Sequence, residues 1–223
     1  MRYPTERANR GSQKWIQDLV NTNAHLLSNQ IQLCRKDLLG KEILWISPLQ
    51  DDNFAEYRDG SFLDKLGLSI HTPALQKFWP ARGPQWDGLG KTTDGSVYLL
   101  IEAKANIPEI VSNCGANSDK SLKLIKTSLE KTQEWVGAGT HICWTTGFYQ
   151  YANRLAHLYF LNQIAGVRTY LISLYFVNDT TYIPTESQDW NAALKLQKIL
   201  MGINNKKIHN FVIDIFLNTG EIK

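Results

Sequence analysis

The chain has 223 residues, enough for one domain with a sizeable core. Hydrophobic residues make up 43% and charged residues 20%, an ordinary globular composition that excludes a disordered or fibrous chain. The net charge of +3, from 24 Lys and Arg against 21 Asp and Glu, excludes a uniformly basic nucleic-acid coat, so any basic footprint must be local.

Cys34, Cys114 and Cys143 are odd in number and lack CxxC spacing, which points to neither a disulfide framework nor a zinc knuckle. A reducing cytoplasm is the expected location. The opening MRYPTERANRGSQKW carries no apolar core of signal-peptide length, and no stretch approaches ~18 apolar residues, so no membrane partner is expected. We read residues 1–223 as a single domain, with 1–50 as an N-terminal helical extension.

Trp15, Ile16, Leu19, Val20, Ala24, Leu27 and Ile31 recur at helical spacing and predict one amphipathic helix over 12–34, capped by Ser12. The short apolar run 42–46 suits a strand or a buried turn of helix equally well. Phe54, Tyr57, Phe62 and Leu66 predict a second helix over 53–66 that ends at Gly67. Phe78 and Trp79 before Pro80 suggest an edge strand, because proline removes a ladder bond. Leu122, Ile125, Leu129 and Val136 predict a helix over 118–136 whose outer side carries Lys120, Lys123, Lys126 and Lys131. A strand is expected at 140–146, a helix at 149–165 closed by Gly166, and a strand buried on both faces at 169–177. A helix at 190–201 and a strand at 208–216 complete an α/β arrangement, α+β with a mixed sheet.

The segment 84–105, PQWDGLGKTTDGSVYLLIEAKA, carries the chemistry. Asp94-Gly95 is favoured in a two-residue type I′ hairpin loop, since both positions need positive φ. Pairing symmetric about that dipeptide sets Asp87 opposite Glu102, where cross-strand Cβ atoms come within about 4.5 to 5.5 Å. Alternation places Val97, Leu99, Ile101 and Ala103 on one face and Tyr98, Leu100, Glu102 and Lys104 on the other. Two carboxylates that close repel unless a proton or cation lies between them. Oxygen ligands without His or Cys suit Mg2+ or Mn2+ as the metal on Asp87 and Glu102. Lys104 beside them suits orienting a water or stabilising charge on phosphate.

An acid on one strand, a hairpin, then Glu102-Ala103-Lys104 on the next resembles the PD-(D/E)XK nuclease superfamily, with Asp87 matching its aspartate and Trp86 before it in place of proline. That superfamily's core runs helix, three strands, helix, strand. Helix 53–66, three strands through Lys104, helix 118–136 and strand 140–146 are expected to form this restriction-endonuclease-like αβββαβ core, with an extra N-terminal helix and a C-terminal helix and strand. The resemblance implies a metal-dependent nuclease hydrolysing phosphodiester bonds, with Asp87, Glu102 and Lys104 catalytic and Glu56 as the upstream acid from the preceding helix. Asp59 is the rival for that acid, and Gln133 on the third helix a further group that could face the site. The implied partner is nucleic acid, DNA ahead of RNA.

Lys123 and Lys126 suit a phosphate backbone, although a lysine-rich face also reads as plainly solvated. Gln150, Asn153, Arg154 and His157 form a polar stripe at i, i+3, i+4 and i+7. Gln150 and Arg154 therefore join the expected nucleic-acid contacts, with Arg154 either clamping phosphate or pairing a buried carboxylate. Trp79, Trp86, Trp144 and Tyr149 read as core rather than as a base-stacking platform. The alternative function is an inactive nuclease-like module that binds nucleic acid or a protein.

Overall fold

The computed structural model describes residues 2–3, 6–203 and 205–222. Strand β1 (Arg2–Tyr3) pairs with the short β3 (Glu56–Tyr57), and between them lie α1 (Gly11–Thr22), α2 (Ala24–Cys34) and β2 (Ile43–Ser47). Next come α3 (Gly60–Leu66), α4 (Thr72–Phe78), β4 (Gly88–Thr92), β5 (Tyr98–Lys104), α5 (Asp119–Val136) and α6 (Tyr149–Tyr159). The chain closes with β6 (Thr169–Val177), α7 (Ser187–Leu200), the short α8 (Asn205–Ile208) and β7 (Val212–Asn218). A five-stranded sheet orders these strands β2-β4-β5-β6-β7, antiparallel through β5 and parallel from β5 to β7. Among the described residues no helix is long and apolar enough to cross a membrane.

The sheet is coated on both faces, which is why β6, flanked by β5 and β7, is buried at every position. On one face Val97 and, from β5, Leu99, Ile101 and Ala103 meet Ile172, Leu174 and Ile215, covered by Ile16, Leu19, Leu27 and Ile31 of α1 and α2. On the other, Leu89, Leu100 and Leu171 pack under Phe62, Ile125, Leu129 and Leu155 from α3, α5 and α6. The alternation expected along β5 therefore holds. The described part of the stretch 1–50 supplies a helical layer and the edge strand β2 to this body.

Several expected elements are corrected. The helix over 12–34 breaks at Asn23, yet Leu27 and Ile31 stay in phase across the break, so periodicity alone is blind to it. The run 42–46 resolves as the strand β2. The helix over 53–66 shrinks to 60–66, because Asn53, Phe54 and Asp59 all adopt positive φ and Glu56 lies on β3 instead. Phe78 and Trp79 are not an edge strand: they end α4, where Pro73 opens the first turn and Pro80 follows the last, the usual helical placement of proline.

The strand expected at 140–146 is a loop. Its backbone bonds go to Cys114, whose amide donates to Thr145 O at 2.8 Å, rather than to the sheet, because both edges of β5 are already taken by β4 and β6. The sheet strand that follows α5 is therefore β6. The expected helix at 149–165 is α6 followed by a π turn over Phe160–Ile164.

The hairpin keeps its expected register but not its expected turn. Gly88 pairs with Ile101, Leu89 with Leu100, Gly90 with Leu99 and Lys91 with Tyr98. The Thr92 amide donates to Val97 O at 2.9 Å and closes a four-residue loop in which only Gly95 has positive φ. Asp94 instead accepts from the Ser96 amide at 3.0 Å and from Lys41 Nζ at 2.5 Å. A longer loop centred on the same bond leaves the cross-strand pairs unchanged.

Leu99 is fully buried in the core beneath α1. Replacing it by alanine should lower unfolding free energy by about 2 to 5 kcal/mol, whereas Lys123→Ala on the exposed side of α5 should stay within about 0.5 kcal/mol of wild type. Urea denaturation midpoints check both.

Candidate active site

Glu102 and Lys104 lie at the end of β5 on the face that α6 covers, and Asp87 immediately precedes β4 on the neighbouring strand. Asp87 lies one residue beyond the last ladder pair, Gly88 with Ile101. Its Oδ2 accepts from the Ala103 amide at 2.8 Å, locking the carboxylate to the β5 backbone. Its Oδ1 takes no hydrogen bond from the described residues. Burial pushes the Asp87 carboxyl well above the ordinary aspartate range, and the charges of Glu102 and Glu56 add to that shift.

Glu102 is held the other way. Lys104 Nζ bonds its Oε1, and Arg154 Nε donates to its Oε2 at 2.5 Å. Burial pushes this carboxyl up, but the Arg154 and Lys104 charges together hold it below the ordinary glutamate range. Lys104, whose burial alone would lower it, is kept above the usual lysine value by Glu102 and Asp87. Glu102 is thus an ionised, doubly paired carboxylate, while Asp87 is the frustrated one.

Arg154 adopts the buried-pair alternative rather than standing free for phosphate. Only 3% exposed, it also donates to Asn153 Oδ1 and to Gln85 O, each at 2.8 Å, and lies over the Trp86 ring. Glu56 arrives from β3, not from a helix, because the Trp86 amide donates to Tyr57 O at 3.0 Å and draws the two segments together. Gln85 Nε2 at 2.7 Å and Gln13 Nε2 at 3.2 Å donate to its carboxylate. Burial raises the Glu56 carboxyl, the two amides partly offset this, and the charge of Glu102 adds to it.

Glu56, Gln85, Asp87, Gln150, Asn153 and Arg154 line a cleft of about 410 Å³, whereas Glu102 and Lys104 line a smaller pocket that shares Gln150 with it. Asp59, the rival upstream acid, is absent from those walls. It accepts the Gly83 amide at 2.8 Å and shapes the loop before Pro84. Gln133 also lies elsewhere, donating to Gly139 O and Ile142 O. Lys123 and Lys126 are exposed on the outer side of α5 and do not line the cleft. His157, last of the polar stripe, is buried among Trp79, Trp86 and Phe62, and burial lowers its pKa to about 3. Trp79, Trp86 and Trp144 are core residues, as expected.

Sequence reasoning missed Gln85 and Gln13. Gln85 had a signal: two positions before Asp87, it lies on the same side of an extended segment. Gln13, on a helix far away in sequence, had none.

The donor set suits a hard cation. A carboxylate offers about four lone-pair sites, of which Glu102 uses two, and Asp87 Oδ1 is uncommitted. Among the described residues, no group of three His, Cys, Asp or Glu side chains converges closely enough to form a ready-made metal cage. Glu56, Asp87 and Glu102 are coupled through their charges instead.

A raised aspartate pKa makes the fold bind a proton more tightly than the unfolded chain does. The stability it contributes is present at low pH and is lost as pH rises through the raised value. In chelator, Asp87→Asn should therefore match wild type near pH 4 and exceed it at pH 8 by about 0.5 to 2 kcal/mol, read from melting temperatures across that range. In comparisons with family models, curated proteins and solved structures, nothing matches this chain.

Proposed function

We propose that the chain is a divalent-cation-dependent nuclease of the PD-(D/E)XK type that hydrolyses phosphodiester bonds in nucleic acid, with DNA the first substrate to test. The observation that carries this reading is the Asp87 carboxylate on the wall of an open cleft, tied to the Ala103 amide, with its other oxygen uncommitted and its charge coupled to the buried Glu102 and Lys104. The order of elements supports it: the α1–α2 layer, the strands β2, β4 and β5, then α5 and α6 before β6. In this reading α3 and α4 are an insertion between the first two strands of a restriction-endonuclease-like core.

Asp87 and Glu102 would hold Mg2+ or Mn2+, with Glu56 on the wall of the same cleft as Asp87. The ion would supply a Lewis acid for the phosphoryl oxygen and an acidified water. Lys104 projects beside both acids, so its ammonium can orient the attacking water and offset charge developing on phosphate. Arg154 holds Glu102 ionised and fixes its rotamer. Gln85 joins the Arg154 and Glu56 branches, since its carbonyl accepts from one and its amide donates to the other. Gln150 and Asn153 line the wall a substrate strand would follow, with Lys123 and Lys126 reaching phosphates further out.

The double pairing of Glu102 favours a second reading, in which the pocket is a sealed ion-pair cluster and the chain binds nucleic acid or protein without cutting it. Cleavage assays on single- and double-stranded DNA and RNA with Mg2+ or Mn2+, alongside calorimetric metal titration, separate the two. Lys104→Ala should keep metal binding and lose about 10² to 10⁴ in turnover. Asp87→Asn should lose metal binding itself. Metal binding by wild type with no cleavage of any substrate would favour the second reading, and no metal binding would remove the nuclease reading.

The outer footprint is tested separately. Lys123→Ala combined with Lys126→Ala should weaken binding to all sequences alike and make the salt slope shallower by roughly one unit for each phosphate no longer neutralised. An unchanged slope in filter-binding titrations would remove α5 from the interface.

A further inference from the structure

Glu102 and Lys104 line a small, partly open pocket between the sheet, α6 and α7, which shares Gln150 with the cleft wall. Ser173 pairs with Glu102 and Tyr175 with Lys104 across the β5–β6 ladder, so the four side chains stand in two adjacent rows on one face. Gln150 and Tyr151 from α6, Gln197 from α7 and Ile110 complete the walls. The space the pocket offers a water is about 20 Å³, whereas a single water needs about 10 to 15 Å³.

The chemistry of the wall is unusual for so buried a place. Tyr151 Oη and Ser173 Oγ are both buried, and neither has a hydrogen-bond partner among the described residues. The Tyr175 hydroxyl lies close enough to Ser173 to be influenced by it, but Ser173 Oγ makes no hydrogen bond of good geometry to it. Buried hydroxyls left unpaired are costly and rare, and two that face one water-sized space are normally reconciled by an ordered water. Lys104 adds a donor, because its ammonium has three N–H groups and bonds Glu102 with one.

We propose that this cavity is a binding site for one internal water, gripped by Tyr151 and Ser173, and that this water accepts from Lys104 and fixes the direction of its ammonium. Tyr151 and Ser173 are then positioning residues for Lys104, acting through the water rather than on substrate. The site itself stands on the cavity and the hydroxyls. Its value to catalysis rests on the nuclease reading above.

A double-mutant cycle tests the site without any enzyme assay. Tyr151→Phe and Ser173→Ala remove one hydroxyl each with little change of shape. Each should lower the folded-to-unfolded ratio about fivefold, the scale of one hydrogen bond, and the double variant should fall well short of the product because both bonds end on one molecule. A single variant as stable as wild type, or more stable, would mean that its hydroxyl had no partner to lose, and effects that multiply in full would mean that no water is shared; either result overturns the proposal. A high-resolution crystal structure of the full chain should show density within hydrogen-bonding distance of both Tyr151 Oη and Ser173 Oγ, and its absence would also overturn it.

The link to Lys104 has its own readouts. Nitrogen-edited NMR should find the Lys104 ammonium protons exchanging about tenfold faster in Tyr151→Phe, and unchanged exchange would remove the positioning role. If wild type cleaves nucleic acid, Tyr151→Phe should lower kcat about tenfold with KM and metal affinity unchanged. If wild type cleaves nothing, the nuclease reading fails while the cycle, the density and the exchange rates still decide the water site.

Discussion

A carboxylate placed out of water at the end of a central strand must be given cations, and Glu102 is given two. Removing one partner from such a buried pair commonly costs about 3 to 5 kcal/mol, because the remaining charge cannot be rehydrated. Lys104 comes from the same strand, but Arg154 reaches Glu102 from α6, and its other nitrogens hold Asn153 and the Gln85 carbonyl. One guanidinium thereby fastens a helix, a strand and a loop at a single point. The walls of the cleft follow from that fastening, since Gln150, Asn153 and Arg154 are on α6 and Gln85 is on the loop.

Beside this satisfied carboxylate the fold keeps an unsatisfied one. Asp87 is drawn in by the Ala103 amide but receives no cation of its own, and the neighbouring acids oppose its ionisation. A buried carboxylate left in this state costs stability that a neutral side chain of the same shape would recover. Glu56 shows a milder version of it, softened by two amide donors.

The part of the site legible in the sequence is the part governed by local periodicity. Alternation along β5 assigns Glu102 and Lys104 to one face, and symmetry about Asp94 and Gly95 sets Asp87 opposite Glu102 although the turn itself has four residues rather than two. Glu56 reaches the site by a different route from the expected one: a helix is expected, whereas a two-residue strand held by a remote partner carries it. Such a strand has too few residues to leave a period. The strand expected at 140–146 fails for a different cause, since its β-rich composition says nothing about which backbone its amides will find. Arg154 reads equally as a clamp or as a buried ion pair, and only three-dimensional proximity decides between them.

The wide spacing of these residues along the chain also bears on how the protein is made. Glu56, Asp87, Glu102 and Lys104 leave the ribosome before Arg154, and the strand that flanks β5 on its other side, β6, follows later still. Parallel pairing across so long a separation is slow to form. A nascent chain therefore displays the acids and the lysine without the arginine that orders them or the sheet that buries them. The cleft takes shape only once synthesis has passed α6 and β6.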